Sequence, residues 1–165
     1  MNVVSNASPL IFISKLGLLE LLEIFTTIFI PPEVHEEILK GKKEAYEEAV
    51  GIEALIEQGR IQVLEASTTL PVLEEFPIHR GEKAVIQLAL DEKVTKVLID
   101  ERKARITASL LGLDSRGTIW ILMENYRQAI ISKAEVKKLF LDLIQKGYHI
   151  SSSLMAETLK QLDEL

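Results

Sequence analysis

Short apolar runs alternate with stretches of helical periodicity along the chain, and this alternation restricts the fold more than any other feature. Val3-Val4, Ile28-Phe29-Ile30, Ile61 to Leu64 and Lys96 to Ile99 read as strands, with Leu113 to Arg116 as a last short one. Apolar runs of this kind suit strands covered on both faces. Strands that alternate with helices pair in parallel, because each helix supplies the crossover. The expected architecture is therefore α/β: a mainly parallel central sheet flanked by helices in three layers. Residues 1–165 read as a single domain, with the helices of 132–165 packing as an extension.

The punctuation between strands is helical. Ser8 is expected to cap a helix with Pro9 in its first turn, and Gly17 to break that run into two short helices. Pro31-Pro32 stops the second strand and starts a helix carrying Val34, Ile38 and Leu39. Residues 42–58 read as one helix, with Ala45, Ala49, Ile52, Leu55 and Ile56 near helical spacing, closed by Gly59. Residues 66–79 read mainly as a connection. Helices follow from Gly81-Glu82, over 101–111, and from Gly117-Thr118, the last carrying Ile119, Leu122, Tyr126 and Ile130. Ser132 with Glu135 forms a capping box ahead of Val136, Leu139, Phe140 and Leu143. Gly147 ends that helix, and a final one begins at Ser151 to Ser153.

Composition removes several kinds of chemistry. The chain has no cysteine, which excludes disulfides, thiol catalysis and thiolate zinc sites. No apolar stretch is long enough to suggest a membrane span, and the first residues lack a signal peptide's pattern; a cytoplasmic location is the default expectation. With 25 acidic against 19 basic residues, the net charge is -6. That argues against a broad nucleic-acid-coating surface but leaves room for a local basic rim. No Gly-rich phosphate loop or Walker lysine is present, and His35, His79 and His149 are too scattered to suggest a metal cluster.

Three oxygen-bearing side chains occupy informative places. Asn6 follows the first strand, Glu82 stands at a helix start, and Asp100 ends a strongly apolar run. Brought together, they would form a metal site with one neutral ligand. Each also has a structural reading. Glu82 is favoured by a helix amino end, Asp100 could cap the helix after it, and Asn6 could bond turn backbone. Ser8 could cap its helix or hydrogen-bond the site.

Taken in order, the landmarks resemble a known family. Val3-Val4-Ser5-Asn6-Ala7-Ser8-Pro9-Leu10-Ile11 resembles the opening of PIN-domain proteins. Gly81 to Ala89 is similar to their second acidic segment, and Leu98-Ile99-Asp100-Glu101-Arg102-Lys103-Ala104-Arg105 to their third. Leu111-Gly112-Leu113 and Gly117-Thr118 complete the likeness, which is nearest to the DUF3368 branch and covers almost the whole chain. The resemblance implies a Mg²⁺- or Mn²⁺-dependent endoribonuclease of a family with many toxins, with RNA as substrate, a small antitoxin protein as partner, and a homodimer. Asn6, Glu82 and Asp100 would be catalytic and hold the metal, with Asp114 as a candidate fourth ligand. Ser8, Arg105, Arg116 and Thr118 would contact substrate, and Arg80 and Lys83 could join Arg116 in a basic rim. Asn6 stands where the family supplies its first Asp. The alternative reading is therefore a catalytically weak or inactive PIN-like module that binds RNA or protein.

Overall fold

A computed structural model describes residues 1–44 and 46–164; Ala45, expected on an apolar helix face, lies outside the described residues. The strands are β1 (Asn2–Ser5), β2 (Thr27–Ile30), β3 (Ile61–Val63), β4 (Lys96–Leu98) and β5 (Asp114–Arg116). They form a sheet in the order β3-β2-β1-β4-β5, with every pairing parallel. Val3, Val4, Val97, Leu98 and Ile99 are fully buried. Because consecutive strand residues point to opposite faces, both faces of the sheet are covered. The three-layer α/β expectation holds.

The helices are α1 (Ala7–Lys15), α2 (Pro32–Lys43), α3 (Glu47–Glu57), the single turn α4 (Pro71–Glu74), α5 (Arg80–Glu92), α6 (Arg102–Leu110), α7 (Thr118–Arg127), α8 (Lys133–Gln145) and α9 (Ser152–Glu164). Helices α1, α2 and α3 pack on one another, and α5 packs on β1 and β4. Leu10 and Ile13 of α1 have no exposed surface; truncating either to Ala removes about 2–5 kcal/mol of stability.

The break at Gly17 into two short helices falls as expected: Gly17 has φ +70° and is followed by a 3-10 helix over Leu19–Ile24. The boundaries depart from the sequence reading in three places. Asn6, not Ser8, caps α1: its Oδ1 accepts from the Ala7 N–H at 3.0 Å. The helix expected from residue 42 starts at Glu47, because Lys40, Lys42 and Lys43 finish α2, where cations suit the carboxyl end. Ile130 lies beyond α7 and is 52% exposed.

The chain divides into two compact units, Met1–Thr118 and Ile119–Leu165. The first carries the sheet. In the second, the capping box is formed: Ser132 Oγ accepts from the Glu135 N–H, and Glu135 Oε2 accepts from the Ser132 N–H at 2.6 Å. That Ser132 N–H holds the Glu135 carboxyl below its ordinary range. Val136, Leu139, Phe140 and Leu143 are buried, as their spacing predicts. No described helix is long and apolar enough to cross a membrane.

Candidate active site

The strand order locates the site. From β1 the chain steps outward to β2 and β3, then returns to the other side of β1 to lay down β4 and β5. The reversal opens a crevice beyond the carboxyl ends of β1 and β4, where open parallel sheets take ligands. Asn6 follows β1 directly, and its N–H donates to Leu98 O at 2.9 Å. Asp100 lies just past β4, where the Ile99 N–H donates to Arg116 O at 2.7 Å. The first residues of α1 and α7 therefore meet Asp100 at one edge of the sheet.

Asp100 is gripped there by neutral donors. Its Oδ1 accepts from the Thr118 N–H at 2.7 Å. Its Oδ2 accepts from Thr118 Oγ1 at 2.7 Å and Ser8 Oγ at 2.8 Å. Arg105 reaches back along α6 and donates through Nη1 to the Asp100 main-chain carbonyl. Gly117 permits this closeness: a Cβ at that position would lie 2.9 Å from Asp100 Oδ1. The cap of α6 falls to Glu101, whose Oε2 accepts from the Ala104 N–H, so Asp100 is not the cap.

Glu82 is 5% exposed and sits in the first turn of α5. Its Oε2 accepts from the His79 N–H at 2.7 Å. Gly81 brings that turn to the crevice, since a Cβ there would lie 4.0 Å from Asn6 Oδ1. The connection leading into α5 is tied down by Asp91, which accepts from the Ser67 N–H, Ser67 Oγ and Gln87 Nε2. Burial pushes the Asp91 carboxyl up, but these donors outweigh it and hold it below its ordinary value.

Asp114 is elsewhere. It opens β5 opposite Lys96, at the amino end of the sheet, while Asp100 lies beyond the carboxyl end. It forms ion pairs with Lys96 and, at 2.8 Å, with Arg116 Nε. The geometry therefore does not bring Asp114 to Asn6 and Asp100 as a fourth ligand. The reason is strand direction: Asp114 begins its strand, whereas Gly117-Thr118 leaves it at the site. Arg116 turns its side chain toward Asp114, two residues back on the same strand face. The other cations expected in a rim are also paired, Arg80 with Glu33 at 3.6 Å and Lys83 with Glu74 at 3.5 Å.

The donor chemistry suits a hard divalent ion. A carboxylate offers about four acceptor directions and an amide oxygen two. The bonds to His79 and Ala7 leave acceptor capacity on Glu82 and Asn6. Mg²⁺ is commonly held by one or two carboxylates, with water and substrate phosphate completing its shell. Among the described residues no group of three His, Cys, Asp or Glu side chains could hold a metal. A metal site here would rest on two acids and an amide.

An α/β domain with an all-parallel sheet and a carboxylate at its switch point is the frame, and the PIN domain is a nuclease-type version of it. The DUF3368 family, a PIN domain, matches residues 2–164, and the chain belongs to that family. Such domains typically use divalent metals. No curated protein matches the chain.

Two features of the site escaped sequence reasoning. Ser8 reads as a helix cap or a hydrogen-bond donor to the site, and its particular partner, Asp100, lies 92 positions away where only the fold brings the two together. Gly117 carried the family likeness, but its steric role depends on where Asp100 lies. A glycine directly before a helix, without a left-handed turn to justify it, was the available signal.

Proposed function

We propose that the protein is a Mg²⁺- or Mn²⁺-dependent endoribonuclease whose site holds its ion weakly until RNA phosphate completes the shell. The observation that carries this reading is the fixing of Asp100 by the hydroxyls of Ser8 and Thr118 and the Thr118 N–H. A carboxylate held by neutral donors keeps its charge available to a cation. Asp100 and Glu82 would hold the ion as anions and Asn6 through its amide oxygen. The bound ion would supply activation of water and stabilisation of charge on the phosphate. Ser8 and Thr118 act as positioning residues through Asp100, and Arg105 fixes the main chain beneath it. Asn6 carries no negative charge and cannot act as a base, so proton removal from the attacking water would fall to Glu82 or Asp100. The antitoxin partner and homodimer implied by the family likeness belong to this proposal.

The second reading, a weak or inactive RNA- or protein-binding module, is favoured by the same bonds seen differently. Asn6 Oδ1 caps α1 and Glu82 Oε2 binds the His79 N–H, so both have structural work without a metal. Cleavage of RNA with Mn²⁺, Mg²⁺ or EDTA separates the two. The leading reading predicts metal-dependent cleavage that is lost in both Glu82→Ala and Asp100→Ala. Equal RNA cleavage by wild type and both variants would reject it.

A further inference from the structure

The cations around the site fall into two groups. Arg80, Lys83 and Arg116, expected in a basic rim, are each paired with a carboxylate of the same unit. The whole acidic surplus of the chain lies in that unit, the first 118 residues, yet fewer than half of its Lys and Arg side chains form an ion pair with a described carboxylate. Arg102 and Lys103 are among the cations without one. Both are exposed on the first turn of α6, immediately after Asp100, and no carboxylate of a described residue lies within ion-pair distance of either.

The same helix shows an apolar stripe on its outer side. Ala104, Thr107 and Ala108 face inward and are buried, whereas Ile106 is 50% and Leu110 69% exposed. Arg102, Ile106 and Leu110 recur every four residues, with Lys103 beside them, so they share one helix face. The face is basic where it meets the site and apolar farther away. A polyanion carrying apolar rings complements both halves: phosphate on the guanidinium and ammonium, bases or riboses on the aliphatic side chains.

We propose that this face of α6 is the track along which an RNA strand approaches the site, with Arg102 and Lys103 contacting its phosphates and Ile106 and Leu110 its bases or riboses. The proposal rests on the ribonuclease reading for its ligand, but its test needs no cleavage. Binding of a short, labelled, mixed-sequence single-stranded RNA is followed by fluorescence anisotropy in EDTA across a salt series. Each phosphate contact contributes about 0.7 to the logarithmic salt slope on a single strand, so Arg102→Ala with Lys103→Ala lowers the slope by about 1.4. Lys40→Ala with Lys43→Ala, exposed in the last turn of α2, removes the same formal charge and leaves the slope close to wild type. Ile106→Ser with Leu110→Ser weakens binding severalfold with the slope unchanged. Circular dichroism melting confirms that each variant is folded, and the surface positions keep that outcome within reach.

Equal slope losses in the two charge-matched double variants would reduce the effect to net charge and overturn the track. Absence of binding by the wild type would overturn it as well. A changed sedimentation coefficient in the Ile106/Leu110 variant, with RNA binding intact, would make the face a protein contact instead. Loss of metal-dependent cleavage alone, with these binding results as predicted, would sink the ribonuclease reading and leave the track standing.

Discussion

Asp100 and Asp114 flank the same pair of strands and are held in opposite ways. Asp114, at the amino end, is neutralised by Lys96 and Arg116. Asp100, beyond the carboxyl end, takes its hydrogen bonds from two hydroxyls and a backbone N–H. Both arrangements satisfy a carboxylate. In the second, two hydroxyls and a backbone N–H position the carboxylate while the Arg105 guanidinium bonds the main-chain carbonyl, an arrangement suited to a ligand for a metal ion. A charged side chain at a strand end is thus informative only together with the groups that hold it.

The sharpest way to break this contrast is to disturb Asp100 without touching it. Gly117→Ala would place a methyl group 2.9 Å from the present position of Asp100 Oδ1. The carboxylate must move, and displacement on the ångström scale costs about a hundredfold in rate. Metal-dependent RNA cleavage should fall by that much, while circular dichroism still shows a folded chain. Retention of full cleavage would show that the close approach is incidental.

A smaller effect is expected from Thr118→Val, which keeps the backbone donor and the side-chain volume but removes Oγ1. Thr118 is fully buried, and a hydrogen bond to a charged group contributes about 1.5–3 kcal/mol. Thermal or chemical denaturation should register a loss in that range, with cleavage reduced about tenfold, since about 1.4 kcal/mol corresponds to one order of magnitude. Thr118→Ser restores the donor and should recover most of both. A Val variant as active and stable as the Ser variant would assign no role to the hydroxyl.

The smallest effect belongs to Asp114. Burial raises the tendency of this carboxyl to keep its proton, but the Lys96 and Arg116 cations outweigh it and hold its pKa below the ordinary value. A depressed carboxyl pKa stabilises the fold above the unfolded-state value, and that stability is lost as pH falls through the folded-state value. With its side chain 41% exposed, the contribution is under about 1 kcal/mol. Asp114→Asn should therefore lower stability slightly at neutral pH, the difference from wild type should vanish in acid, and cleavage should not change. A marked loss of cleavage would return Asp114 to the site.

These contrasts also mark how far the sequence is readable. The alternation of apolar runs and helical spacing yields the five strands, because parallel strands buried on both faces leave little choice of residue. Ser132 with Glu135 reads correctly because a capping box is complete within four positions. What fails is what depends on distant partners or on direction. The capping preferences of Ser and Asn are similar, and nothing local says that Ser8 belongs to Asp100. Asp114 stands only three residues before Gly117, yet a strand carries those residues toward the other edge of the sheet. Asn6, Glu82 and Asp100 are legible as strand-end and helix-start groups; that Asn6 caps α1 and Glu82 binds the His79 N–H needs the coordinates.

The central claim is that the site is laid out for a divalent ion and weakened by the amide at Asn6. Mn²⁺ titration by isothermal calorimetry, comparing wild type, Asn6→Asp and Asn6→Asp with Asp100→Ala, tests it most directly. An added unit charge close to the ion should tighten binding at least tenfold, a gain of roughly 1.4 kcal/mol or more, and Asp100→Ala should remove that gain. Identical Mn²⁺ affinity in wild type and Asn6→Asp, or a gain that survives loss of Asp100, would contradict the account.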